Sequence, residues 1–171
     1  MFRRTLIASM IAAALTACAP VEAPAETPPV NADSNVEIRL ARGVCYGTCP
    51  DYTVTINGEG QVRYEGRRFV NIVGERTATI PREDVTRLLA RFDEIGFDNL
   101  RESYRGQVTD LPTYTVTLTR NGRTKRVVDY AGISAGMPES VRELQAEIDR
   151  VARTSQWVLR DGWPVGIRPE H

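Results

Sequence analysis

The chain is 171 residues long, with 22 basic and 22 acidic side chains and a single histidine. That length suits one domain with a real core, and the charge balance argues against nucleic acid, whose binders carry a basic excess. The one imidazole is the C-terminal His171, which leaves histidine-dependent catalysis and metal chemistry without support. The basic residues are 21 Arg and one Lys. Arg recognises planar anions through a bidentate fork, but here the arginines are spread singly along the chain. They read as compositional bias rather than as a binding surface.

Residues 1–17 read as a removable leader. Met1 to Arg4 form a short cationic region and Thr5 to Leu15 an apolar run of eleven residues, which at about 1.5 Å per residue is too short for a ~30 Å hydrocarbon core. The run ends Leu15-Thr16-Ala17-Cys18. This resembles the bacterial lipoprotein processing box, in which a cysteine after small residues is lipidated and becomes the new N-terminus, so Cys18 is the expected acceptor. Several acyl chains then anchor firmly where one would not. Removal of the leader leaves 20 basic and 22 acidic groups. Residues 18–35 hold Pro20, Pro24, Pro28 and Pro29 among Ala, Glu, Thr and Asn, a composition that cannot offset its ordering entropy and reads as a disordered tether. Ala19, where an acidic residue would favour retention in the inner membrane, points to the periplasmic face of the outer membrane.

From residue 36 the pattern becomes that of a folded domain. Val36, Ile38 and Leu40 alternate with Glu37 and Arg39, and Tyr52, Val54 and Ile56 alternate with threonines, which predicts two half-buried strands. Asn57-Gly58-Glu59-Gly60 is a turn signal, after which Val62 and Tyr64 complete a hairpin. Phe69–Val73 and Arg76–Ile80 read as two shorter strands around Gly74. Pro81 opens a helix with Val85, Leu88, Leu89 and Phe92 on one stripe, and Gly96 is placed to stop it. Tyr114, Val116 and Leu118 alternate with threonines, Asn121-Gly122 turns the chain, and Lys125–Tyr130 returns as a second hairpin. A second helix starts near Pro138, with Val141, Leu144, Ile148 and Val151 as its stripe. These elements predict an α+β fold: a two-layer antiparallel sheet with two amphipathic helices packed on one face, and a face of Thr, Arg and Glu left in water. The segments Tyr52–Ile56 and Tyr114–Leu118 are nearly identical. Similar selection on two amphipathic strands accounts for this better than an internal duplication, because their spacings to the helices differ.

Five blocks carry a resemblance: Cys45-Tyr46-Gly47-Thr48-Cys49-Pro50-Asp51-Tyr52, Asp110-Leu111-Pro112-Thr113, the Asn121-Gly122 hairpin, Val128-Asp129-Tyr130-Ala131-Gly132, and Trp157-Val158. Over residues 36–158 the chain resembles the bacterial domain of unknown function DUF6438, with the segment 159–171 outside the matched blocks. The resemblance implies a small α+β domain, often found in lipoproteins or secreted proteins, and carries over no catalytic residue.

Cys45 and Cys49 form the sharpest local signal. In an exported protein, two cysteines separated by three residues including Gly47 can close a small disulfide ring. A thiol-redox site is the alternative, but such sites favour a C-x-x-C at a helix start, whereas Pro50 leads into a strand. A zinc site would need two further donors, and only Asp51 is near in sequence. A Cys or Ser nucleophile needs a base, and the only imidazole is His171 at the C-terminus. Asp51, Asp110 and Asp129 all flank predicted strands and could converge as acid and base, although Asp is also a turn former. Tyr104, Tyr130 and Trp157 read as core or rim aromatics. No phosphate loop or dinucleotide fingerprint is present, and no cofactor is implied. The reading that follows is a membrane-tethered envelope lipoprotein acting as a non-catalytic interaction or structural module with a protein partner. The alternative is a carboxylate-based hydrolase or thiol-redox enzyme.

Overall fold

The computed structural model describes residues 35–166. Seven strands form one sheet: β1 (Glu37–Arg42), β2 (Asp51–Asn57), β3 (Gln61–Arg68), β4 (Gly74–Thr79), β5 (Ser103–Arg105), β6 (Thr113–Arg120) and β7 (Arg123–Tyr130), in the spatial order β4-β3-β2-β1-β6-β7-β5. Every pairing is antiparallel except β5 with β7. Helices α1 (Arg82–Glu94) and α2 (Glu139–Ala152) pack on one face, followed by a short α3 (Ser155–Val158) and a two-strand hairpin, β8 (Leu159–Arg160) with β9 (Trp163–Pro164). The α+β fold is thus the one the periodicities predict. Among the described residues no helix is long and apolar enough to cross a membrane.

Alternation sets the two faces. Ile38, Leu40, Val54, Ile56, Tyr64, Val116 and Leu118 are fully or almost fully buried against Val85, Leu88 and Phe92 of α1 and Val141, Leu144 and Ile148 of α2. Tyr64 stacks at a tilt between Tyr52 and Trp157, with ring centroids 5.7 and 5.0 Å away. Pro81 and Pro138 are the N-caps of α1 and α2 rather than their first helical residues, with ψ near 140°, the extended backbone from which a helix starts cleanly. Asn121-Gly122 turns with φ of 51° and 70°, both left-handed, as a two-residue hairpin whose twist matches its strands requires.

One expectation needs correction, and one strand is new. Phe69–Val73 is not a strand: the chain bends there, and the N–H groups of Asn71 and Ile72 donate to the carbonyls of Val158 and Trp157 at 3.1 and 2.8 Å. The backbone is satisfied by α3 rather than by a ladder. Conversely β5 was not anticipated. It is three residues long and pairs in parallel with β7, too short for an alternation to register.

The bend at residues 69–73 closes over Gly66, where the Tyr64 hydroxyl donates to the Ile72 carbonyl at 3.1 Å. A Cβ at Gly66 would collide with both of those groups. Gly66→Ala should therefore cost about 1–3 kcal/mol, as overpacking does, read as a lower urea midpoint with an unchanged slope. A variant as stable as the parent would show that the bend can lift without loss.

Candidate functional site

The blocks of residues 45–52, 110–113 and 128–132 are far apart in sequence, and the fold brings them to one end of the sheet. β1 ends at Arg42 and β2 begins at Asp51, so residues 43–50 form the loop between adjacent strands. Cys45 and Cys49 are disulfide-bonded within it, with Cα atoms 5.6 Å apart. A ring of five residues contributes only about 2 kcal/mol through loop entropy, so the bridge shapes the loop more than it supports the fold. Gly43 N–H donates to the Thr113 carbonyl at 2.8 Å and Tyr46 N–H to that of Asp110 at 3.2 Å. These bonds tie the disulfide loop to the segment 110–113. On the two tied loops Tyr46 is 90% exposed, Val44 47% and Leu111 48%.

Both ends of the disulfide loop are gripped by one carboxylate. Asp149, in the last turn of α2, accepts from Arg42 Nε at 2.8 Å, from the Tyr52 hydroxyl at 2.7 Å and from Thr154 Oγ1 at 2.8 Å. Arg42 Nη2 adds a contact at 2.7 Å, and the Arg42 guanidinium lies 4.4 Å over the Tyr114 ring. Locally the helix end is an unfavourable choice. A carboxylate in a last turn opposes the helix dipole by about 0.3–1 kcal/mol, and Arg153 holds the left-handed backbone, φ 54°, that usually falls to glycine. Thr154 N–H nevertheless reaches the Asp149 carbonyl at 3.1 Å and Arg153 N–H that of Arg150 at 3.2 Å, completing a Schellman-type close. Burial pushes the Tyr52 phenol well above its ordinary value, and the Asp149 carboxylate pushes it further. For Arg42 burial works against the charge, but Asp149 more than restores it and the guanidinium ends above its ordinary value. Burial likewise pushes the Tyr64 phenol up to about 12.

Beside this hub lies a cleft of about 370 Å³ lined by Arg42, Leu111, Tyr114, Asp129, Arg142 and Gln145, among others. Asp129 is 1% exposed. Its Oδ1 accepts from Gly132 N–H at 2.7 Å and its Oδ2 from Gln145 Nε2 at 3.2 Å, with Arg142 Nε 3.6 Å away. The three aspartates singled out in the sequence have separate surroundings. Asp51 is held by Arg67, Nε at 2.8 Å and Nη2 at 2.6 Å, Asp110 is exposed on its loop, and Asp129 fixes the turn after β7. Tyr104 is buried, its hydroxyl accepting from Arg101 N–H at 3.2 Å. Tyr130 lies 6.0 Å below Arg105, and Trp157 belongs to the core. Cys18, the rest of the expected tether up to residue 34, and His171 lie outside the described residues. Sequence reasoning missed Asp149 altogether; its one signal is a carboxylate in a helical last turn that lacks a following glycine.

A family profile described as Domain of unknown function (DUF6438) matches residues 36–152. No curated protein matches the chain.

Two outcomes follow from the hub and the loop. A phenol whose folded value lies above the ordinary ~10 holds its proton in the native chain while the unfolded chain has lost it. That contribution is complete below pH ~10 and falls away as pH rises toward the folded value. Of the six tyrosines, Tyr52 and Tyr64 should titrate last by ultraviolet absorbance, and Tyr52→Phe should remove one late proton and about 1.5–3 kcal/mol of stability. Six tyrosines titrating together would contradict the buried hub. Alkylation of Cys45 and Cys49 should require prior reduction; two free thiols in protein quenched in acid from cells would contradict the bridge.

Proposed function

The chain belongs to the DUF6438 family, and on that premise we propose that it is a non-catalytic interaction module of the bacterial envelope, tethered to a membrane by lipid on Cys18 and meeting a protein partner with its loop end. The supporting observation is the use to which that end puts its polar groups. Both oxygens of Asp149 and both of Asp129 are spent on the chain's own donors, and the tied loops carry Val44, Tyr46 and Leu111 outward. Exposed aromatic and aliphatic side chains on a braced backbone are the anatomy of a recognition surface, since little ordering entropy remains to be lost on binding. A tether with almost no bulky apolar residues lets such a surface reach a partner at a distance from the bilayer.

The test is crosslinking of the full chain in cells, followed by affinity capture and mass spectrometry. One partner should be recovered with the parent protein and lost with Tyr46→Ser/Leu111→Ser, both exposed positions whose replacement leaves the core intact. Cys18→Ser should move the chain to the soluble fraction. Retention of that variant on membranes after a high-salt wash would overturn the anchor. Turnover in hydrolase or thiol-exchange panels that is abolished by Asp51→Asn, Asp110→Asn, Asp129→Asn or the Cys45/Cys49 double Ser variant would overturn the non-catalytic reading.

A further inference from the structure

The sheet face opposite the helices carries an ordered row that no stretch of sequence displays. Reading the register across the strands, Thr77 of β4 pairs with Arg63 of β3, Arg63 with Thr55 of β2, Thr55 with Arg39 of β1, Arg39 with Thr117 of β6, and Thr117 with Arg126 of β7. Threonine and arginine therefore alternate over six consecutive strands. With strands about 4.8 Å apart, successive arginines stand ~9.5 Å from one another and the three span ~19 Å. Arg39 and Arg126 are exposed, and among the described residues neither makes an ion pair. Arg63 meets Glu75 at 2.5 Å, but both side chains are over 60% exposed, a pairing that contributes little and is readily exchanged. Two shallow depressions, of about 190 and 710 Å³, lie along the row, and both are lined by Arg63 and Thr55.

We infer that this row binds a linear acidic polysaccharide, its carboxylates on Arg63, Arg39 and Arg126 and its hydroxyls on the intervening threonines. The chemistry matches on both counts. A guanidinium takes a carboxylate through two parallel donors, and a threonine hydroxyl both donates and accepts, as a sugar hydroxyl does. The neighbouring rows decide against a flat anionic surface. On one side the register places Glu75 and Glu65, on the other Glu37, so the positive charge is a stripe with carboxylates along its margins. A lipid bilayer would press its headgroups on those carboxylates as well, and the sheet's twist would lift one end of the row away from a plane. A single extended polymer follows the stripe and avoids both.

The experiment titrates the chain carrying Cys18→Ser, which has no acyl anchor and needs no detergent, with a linear oligogalacturonate, with a neutral dextran oligomer of equal length and with phosphatidylglycerol vesicles. The acidic oligomer should bind, and binding should weaken as salt is raised, because exposed charges are screened. Arg39→Gln/Arg126→Gln should weaken it about tenfold or more, while Arg82→Gln/Arg87→Gln, on the helical side, should leave it within about twofold; thermal melting confirms that both variants fold. Absence of binding, equal loss in the two double variants, or equal binding of dextran would overturn the inference. Preference for the vesicles would assign the stripe to a lipid surface and overturn it equally.

Discussion

The architecture of the loop end depends on Asp149. One carboxylate joins the last residue of β1, the start of β2 and the C-terminal turn of α2, three points distant in sequence, through Arg42, Tyr52 and Thr154. A buried ion pair gains little over an apolar contact of the same shape, but removal of one partner leaves a desolvated charge and costs far more. Here the cost of loss falls on three groups, since Arg42, Tyr52 and Thr154 would all be left without the same acceptor. The unfavourable terms that α2 carries, a carboxylate against the dipole and a left-handed arginine, are accepted because they deliver Asp149 to that junction.

The disulfide is best understood within this frame. A five-residue ring stabilises by about 2 kcal/mol, and the loop's position is already fixed at Arg42 and Tyr52 and by the backbone bonds to Asp110 and Thr113. What the bridge adds is shape between fixed ends, narrowing the conformations in which Val44 and Tyr46 face solvent. Hub, backbone ties and bridge thus act at decreasing range on the same eight residues, from placement of the loop to the conformation of its tip.

Legibility in the sequence followed the range of the interaction. Strands such as Glu37–Arg42 and helices such as Glu139–Ala152 were visible because their burial repeats along the chain itself, with periods of two and 3.6. Phe69–Val73 misled because Val70 and Ile72 pack into the core, so its composition matches a strand while its backbone bonds to the carbonyls of Trp157 and Val158. Cys45 and Cys49 were legible because a short ring needs only spacing and compartment. Asp149 was not, because a polar residue on an amphipathic helix looks solvated until its tertiary partners are known. Only the local misfit of Asp149 and Arg153 at a helix end hinted at a tertiary reason, as departures from local preference tend to do. The arginine row was least legible of all. Each arginine sits on a different strand, and register across a sheet is written in no single strand.

The repeated Tyr-Thr-Val-Thr pattern shows how one strand organises both faces. β1 is flanked by β2 and β6 in equivalent register, so Arg42 is opposed by Tyr52 on one side and Tyr114 on the other, and Arg39 by Thr55 and Thr117. Two strands that meet the same neighbour at the same height select the same residues, which accounts for their likeness without a duplication. On the inner side the likeness is then broken by α2: Tyr52 reaches Asp149 with its hydroxyl, whereas Tyr114 offers Arg42 the face of its ring. The outer side has no helix to break it, and there the threonines remain equivalent about Arg39. The central strand therefore sends one arginine inward, where a single carboxylate holds it as part of the scaffold, and another outward, where the same symmetric setting leaves its guanidinium open to solvent.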